Sequence, residues 1–166
     1  LASLLTFLVS IYMITCKGQI SFSTPWIGEL NSNFSLSMDG MAKMLCLLTG
    51  LSVPLIFSAT FSSRYERPGR FYGLMLLTQA GIMGVFLASD VLLFYFFWEL
   101  ALIPIYFLCS EYGGSRKIQT TFKFFVYTFI GSLLLLIGII YLYLKTPDHS
   151  FALSSFYSLK LSATEQ

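Results

Sequence analysis

The chain has 166 residues, of which 56% are hydrophobic, 17% aromatic and 11% charged, with a formal net charge of +2. A soluble domain carries about 25% charged residues, so a water-surrounded globular fold is excluded, as is a basic surface for nucleic acid. The composition predicts an all-α integral membrane protein, a polytopic helix bundle.

Five apolar segments approach the roughly 20 residues that cross a bilayer. They lie at about 1–16, 38–60, 71–89, 90–109 and 120–144. Each is a continuous run rather than the alternation of a membrane barrel, and helices are then the remaining way to satisfy the backbone in hydrocarbon. The first run is already under way at Leu1, with no basic start before it, and reads as an internal piece of a longer polypeptide. A polar connection follows at 17–37, where Pro25 and Trp26 suggest a turn at the interface and a short hairpin is one outcome. In the second run Asp39 and Lys43 are one turn apart and able to pair, and Pro54 predicts a kink that frees the Gly50 carbonyl.

Pro68 and Gly69 in the basic turn 62–70 predict a helix break. In the third run Ala80, Gly84 and Ala88 form a small-residue stripe suited to close helix approach. Gln79 has two readings, an inter-helix hydrogen bond or a place in a water-filled polar track. The third and fourth runs meet within "ASD", which predicts a tight antiparallel pair. Gly113 and Gly114 end the fourth run, and a second basic loop spans 110–120. In the fifth run Thr128 and Ser132 share a face, while Lys123 sits about one turn inside the boundary. Lys123 either snorkels to the interface or serves as a proton relay. The remaining residues, 145–166, form a polar tail that includes His149, read as a solvated surface residue. Cys16, Cys46 and Cys109 lie apart without CxxC spacing and read as small buried hydrophobes, not as a disulfide or zinc framework.

The fourth run, "VLLFYFFWELALIPIYFL", carries one acid, Glu99. At 1.5 Å rise per residue it lies about 13 Å from either end, too deep to snorkel. A charge at the centre of a membrane helix costs about 2.5–3.5 kcal/mol on insertion scales. Tyr95 and Tyr106 fall on roughly the same face, and Pro104 removes the hydrogen bond to the Leu100 carbonyl. Proton or ion transfer and a purely structural hydrogen bond are the two readings of such an acid, and the first is favoured.

"GVFLASDVLLFYFFWELALIPIYFL", the basic loop and "TTFKFFVYTFIGSLLLL" together resemble the M-type antiporter-like subunit of NADH:quinone oxidoreductase, respiratory complex I. "MDGMAKM" is similar to that family's entrance to a helix, and the resemblance covers about residues 34 to 144. It implies a larger fold of fourteen helices with inverted repeats and broken helices, of which these five would be the second to sixth. It implies that Glu99 is the proton-channel glutamate, paired with a lysine on the next helix, beyond Gln166, and that Lys123 occupies the family's basic position at its helix start. It further implies other membrane subunits and the bilayer as partners, a multi-pass place in the bacterial inner membrane, and no cofactor in this chain. NADH, flavin, iron–sulfur clusters and quinone would reside on other subunits. A subunit of a multisubunit sodium/proton antiporter or of a membrane-bound hydrogenase is the alternative, and a structural scaffold is a third class.

The basic residues Arg64, Arg67, Arg70, Arg116, Lys117 and Lys123 gather on one side of the predicted bundle. Lys17, Lys43, Lys145 and Lys160 gather on the other, with five acids, Glu29, Asp39, Asp90, Asp148 and Glu165. The positive-inside rule puts the arginine-bearing loops on the cytoplasmic side. In a background lacking the native cysteines, Arg67→Cys and Ser115→Cys should therefore label from the same side of the membrane. Labelling from opposite sides would overturn the helix count.

Overall fold

The computed structural model describes residues 2–16, 18, 20–63 and 65–159. The charges assigned above to Lys17, Arg64, Lys160 and Glu165 lie outside the described residues, as does the end of the tail. Helix α1 (Ala2–Thr15) leads into a hairpin of β1 (Ile20–Ile27) and β2 (Ser32–Met38). Four long helices follow, α2 (Gly40–Thr60), α3 (Pro68–Leu87), α4 (Val91–Tyr112) and α5 (Lys117–Lys145), then a short α6 (Leu153–Tyr157). By length and composition α2 to α5 are each able to cross a membrane, and α1 is a shorter apolar helix. Large apolar side chains such as Leu4, Leu8, Met44, Leu48, Leu134 and Ile137 are exposed on them, as expected of helices apolar all round.

Local chemistry sets the helix limits. Asp39 caps α2, its Oδ1 accepting from the Ala42 N–H at 2.7 Å, so the helix begins after the acid rather than at Met38. Lys43 does not pair with Asp39: its Nζ donates instead to the carbonyls of Cys16 (2.9 Å) and Gly18 (3.2 Å). The cap has already engaged the carboxylate, and the carbonyls past the end of α1 have no helical partner. Pro68 does not break a helix but opens α3 at its first position, where a fixed φ is pre-organised and the missing N–H costs nothing.

Within the polar connection, Pro25 and Trp26 lie in β1 rather than in a turn. The reversal is at Gly28–Asn31, where Asn31 takes φ 47°, a left-handed conformation that Asn tolerates. A bulge between Pro25 and Ile27 accommodates the proline. Trp26 packs edge-on against Phe34 and Phe96, and Phe34 against Phe97, seating the hairpin on the start of α4.

Consecutive helices pack antiparallel. The tightest seam joins α3 to α4, and it is not the predicted stripe: Ala80 is exposed, while Gly81 and Gly84 are buried. A Cβ on Gly81 would lie 2.9 Å from Ala101 Cα, and one on Gly84 would overlap the Phe97 ring. The two glycines are three residues apart, so they share a face. At one end of this pair Arg70 bridges Glu111 at 2.8 Å, and the Tyr112 hydroxyl donates to the Arg67 carbonyl at 3.0 Å. Tyr65 stacks on Phe71, and both meet Tyr112 edge-on. The two arginine-bearing loops thus lie together.

At the other end, Ala88–Asp90 is clasped from two sides. The Ser89 N–H donates to the Ser35 carbonyl, Val91 N–H to Phe151, and Leu153 N–H to Ser89. Phe151 is buried and stacks on Tyr143 of α5 at 4.2 Å. His149 is exposed on this strap. The hub is Asp90, which is 1% exposed. Its carboxylate accepts from Ser32 Oγ, from the Asn33 N–H at 3.0 Å, and from the Leu92 and Leu93 N–H groups. Asp90→Ala strands these donors and, at about 1.5–3 kcal/mol for a hydrogen bond to a charged group, should destabilise the protein by roughly 3–5 kcal/mol. Asp90→Asn should cost less. Denaturant unfolding in detergent measures both, and equal stability of the alanine variant would contradict the hub.

Candidate functional site

Leu93, Phe97, Ala101 and Pro104 of α4 turn toward α3 or the interior; Leu93, Ala101 and Pro104 are buried, and Phe97 meets Gly84. Two residues of helix advance turn a side chain by about 200°, so Glu99, lying between Phe97 and Ala101, points away from that seam. Tyr95 and Tyr106 lie on its side, and this is the side that meets α5. The Tyr106 ring packs edge-on against Phe125 at 5.2 Å. Tyr95, one helical turn before Glu99, shares that face with the acid. Ser132 is 4% exposed, and its hydroxyl donates to the Phe129 carbonyl at 2.8 Å.

Glu99 itself is half-buried, and its Oε1 is buried without a hydrogen-bond partner. An unpaired buried carboxylate oxygen is among the costliest states for a side chain. Pro104, one turn on, adds a backbone discontinuity, since it has no N–H for the Leu100 carbonyl. The helix remains continuous through it. The site is therefore a mid-span carboxylate with spare accepting capacity, sharing a helix face with Tyr95 and Tyr106. Such a group is equipped to bind and release a proton.

The other sequence candidates are dispersed. Gln79 is 2% exposed and its Nε2 donates to Thr6 Oγ1 of α1 at 3.1 Å. This is the inter-helix bond of the first reading, although its Oε1 is also buried and unpartnered. Thr128 donates to its own helix, at the Phe124 carbonyl. Lys123 is exposed near the start of α5, nine residues, about 13 Å of helix rise, from Ser132. Thr6 was not singled out by sequence; the signal available was hydroxyls at helical spacing, Ser3, Thr6 and Ser10 in α1. Among the described residues no cluster of His, Cys, Asp and Glu is arranged to hold a metal ion.

Residues 88–164, which include the Glu99 helix and α5, match the family described as NADH:quinone oxidoreductase/Mrp antiporter, transmembrane. The chain is 41% identical over 125 residues to the F420H2 dehydrogenase subunit M of Methanosarcina mazei, covering 75% of this chain and 25% of that one. It belongs with the antiporter-like membrane subunits. A chloroplastic NAD(P)H-quinone oxidoreductase chain 4 from Chaetosphaeridium globosum is 37% identical over 143 residues, covering 81% of this chain and 28% of that protein. In three dimensions it matches a chain of respiratory complex I from Thermus thermophilus with bound NADH, with a TM-score of 0.86 and 28% identity over 96% of this chain and 34% of that one. This antiporter-like chain thus spans between a quarter and a third of the length of those relatives. The helical membrane class and the M-type resemblance stand as expected.

The Gln79–Thr6 bond makes a measurable claim about this antiporter-like bundle. A double-mutant cycle of Gln79→Leu and Thr6→Val should give a coupling of about 0.6 kcal/mol, the average for hydrogen bonds between membrane helices. A coupling of zero in detergent unfolding would remove the tie between α1 and α3.

Proposed function

We propose that this chain is part of a proton-translocating membrane subunit of a quinone-reducing respiratory complex, with Glu99 as the group that carries the proton. The observation that carries the reading is the buried, unpartnered Oε1 of a carboxylate in mid-span. A structural tie would have both oxygens engaged, as Asp90 has. Desolvation disfavours an ionised carboxylate, and a cation placed beside it favours that form. A lysine that approaches Glu99 and withdraws, driven by the redox reaction elsewhere, would alternately release and load its proton. The cation is proposed to come from the next helix of the full-length subunit, since Lys123 is exposed near the start of α5.

In this reading the complex supplies NADH, flavin, iron–sulfur clusters and quinone on other subunits, and the chain contributes proton transfer alone. Its neighbours are other membrane subunits and lipid. The membrane is an energy-coupling one, the bacterial inner membrane by the first reading, with the arginine-bearing loops on the cytoplasmic side. The family also includes Mrp antiporter subunits. Transport of sodium against protons through the same acid is therefore the second reading, and ion-replacement measurements separate the two.

Glu99→Gln keeps the shape and hydrogen-bonding capacity of the side chain but cannot carry the charge. In membranes holding the full-length variant, assembly on native gels should survive while proton pumping falls by about a hundredfold or more, the scale of a lost proton-transfer group. Glu99→Asp should retain part of the activity, and Lys123→Ala should do less damage than Glu99→Gln. Normal pumping by an assembled Glu99→Gln complex would leave the acid as a structural tie.

A further inference from the structure

Gln79 and Glu99 each keep one buried side-chain oxygen without a protein partner among the described residues, but the two lie in different places. Gly81 and Gly84 turn one side of α3 to α4. Two residues of helix advance turn a side chain by about 200°, so Gln79 points away from that seam, and its Nε2 donates to Thr6 Oγ1 of α1 at 3.1 Å. The amide is fixed in that sense and not in the reverse one. The Thr6 hydrogen is committed to the Ser3 carbonyl at 2.8 Å, so Thr6 Oγ1 only accepts, and the NH2 end of the amide must face it. Oε1 is then left needing a donor, on a residue that is 2% exposed. The nearby hydroxyls have none to give: Ser10 donates to the Thr6 carbonyl at 2.8 Å and Thr78 to the Leu74 carbonyl at 2.9 Å.

We propose that the junction of α1, α2 and α3 binds a water molecule that donates to Gln79 Oε1. A buried water settles where about three polar partners converge, and the junction offers further acceptors. Ser10 Oγ, buried one turn along α1 from Thr6, approaches α2 so closely that a Cβ on Gly50 would lie 3.0 Å from it. The Gly50 carbonyl lacks its helical donor, because residue 54 is proline. Space adjoins the same hydroxyls. Thr6 and Ser10 line a cleft of about 320 Å³ with Cys46 and Met83, and Ser3 lines a second, of about 740 Å³, beside Tyr72 near the start of α3. A neutral ligand fits the chemistry: Thr6, Ser10, Gly50, Thr78 and Gln79 carry no charge, and a cation in hydrocarbon without an acid beside it is costly. An amide has no proton to exchange with a pump, so this site holds its ligand where Glu99 is proposed to load and release. The inference is independent of that proposal.

Electron cryomicroscopy of the assembled full-length complex, at a resolution that shows ordered water, tests this directly. The wild-type map should hold a peak about 2.7–3.2 Å from Gln79 Oε1, and Gln79→Leu should lose it. A protein donor at that oxygen, or no peak there, overturns the site, and this outcome needs no variant to assemble. Hydrogen exchange of the α1 amides in the same complex gives a second measure with a definite sign. In the double variant Gln79→Leu, Thr6→Val the direct bond loses both partners together, which is nearly neutral or stabilising, the more so where an unsatisfied buried oxygen leaves with it. With the water bound, its hydrogen bonds are lost as well, and exchange should quicken about fivefold, the size of one net hydrogen bond. Exchange that is unchanged or slower in the double variant overturns the water. Protection of α1 that rises with sodium concentration in the wild type but not in Gln79→Leu makes the occupant a cation and overturns it too.

Discussion

Hydrocarbon offers no water to an unpaired polar group, and this single constraint organises the molecule. It explains why Ser and Thr side chains in the helices donate to carbonyls on their own helix, as Ser10, Thr49, Ser52, Thr78 and Thr128 do. It explains why the one amide in mid-span, Gln79, reaches across to Thr6. It also makes the two acids of the fourth segment instructive as a pair. Asp90 is almost fully buried and saturated with donors, and it holds the architecture. Glu99 is buried at one oxygen and left short of them. The same functional group, nine residues apart along the chain, is satisfied in one place and unsatisfied in the other, and that contrast sets the proposed proton carrier apart from the scaffold.

Much of this was legible in the residues alone, for reasons that can be named. Four long helices follow from continuous apolar runs, and Glu99 from one acid in the middle of such a run. Asp90 was legible as a charge near a helix start but not as a hub, because its partners Ser32 and Asn33 lie more than fifty positions away and nothing local announces them. The small-residue stripe was assigned to Ala80, Gly84 and Ala88 by strict four-residue spacing. The real seam uses Gly81 and Gly84, since a helix of 3.6 residues per turn keeps a face by mixing steps of three and four. Pro68 was read as a breaker because proline in mid-helix is one. At a first position the same ring starts a helix. The hairpin was only one outcome of the polar connection, since alternating Ser with apolar residues across β1 and β2 does not by itself locate a turn; the left-handed Asn31 does.

The two seams of α4 differ in kind. Toward α3, backbone meets backbone at glycine, with Ala101 and the Phe97 ring filling the space, and there is no slack for movement. Toward α5, contact runs through rings, Tyr106 with Phe125. Rings slide at far smaller cost than a packed backbone shifts. Any rearrangement that follows a change of charge at Glu99 is therefore channelled to the α5 side.

The strap after α5 gives that asymmetry a geometry. Thr146 to Leu153 is stitched to the start of α4 and, through Asn31 and His149, to the hairpin, so α5 is held at this end. Its other end is held too: four residues join it to α4, Lys117 Nζ donates to the Glu111 carbonyl, and Thr121 is buried. A rod pinned at both ends can give only in its middle, so any yielding of the α4–α5 seam falls in mid-span, at the depth of the acid rather than at the membrane surface.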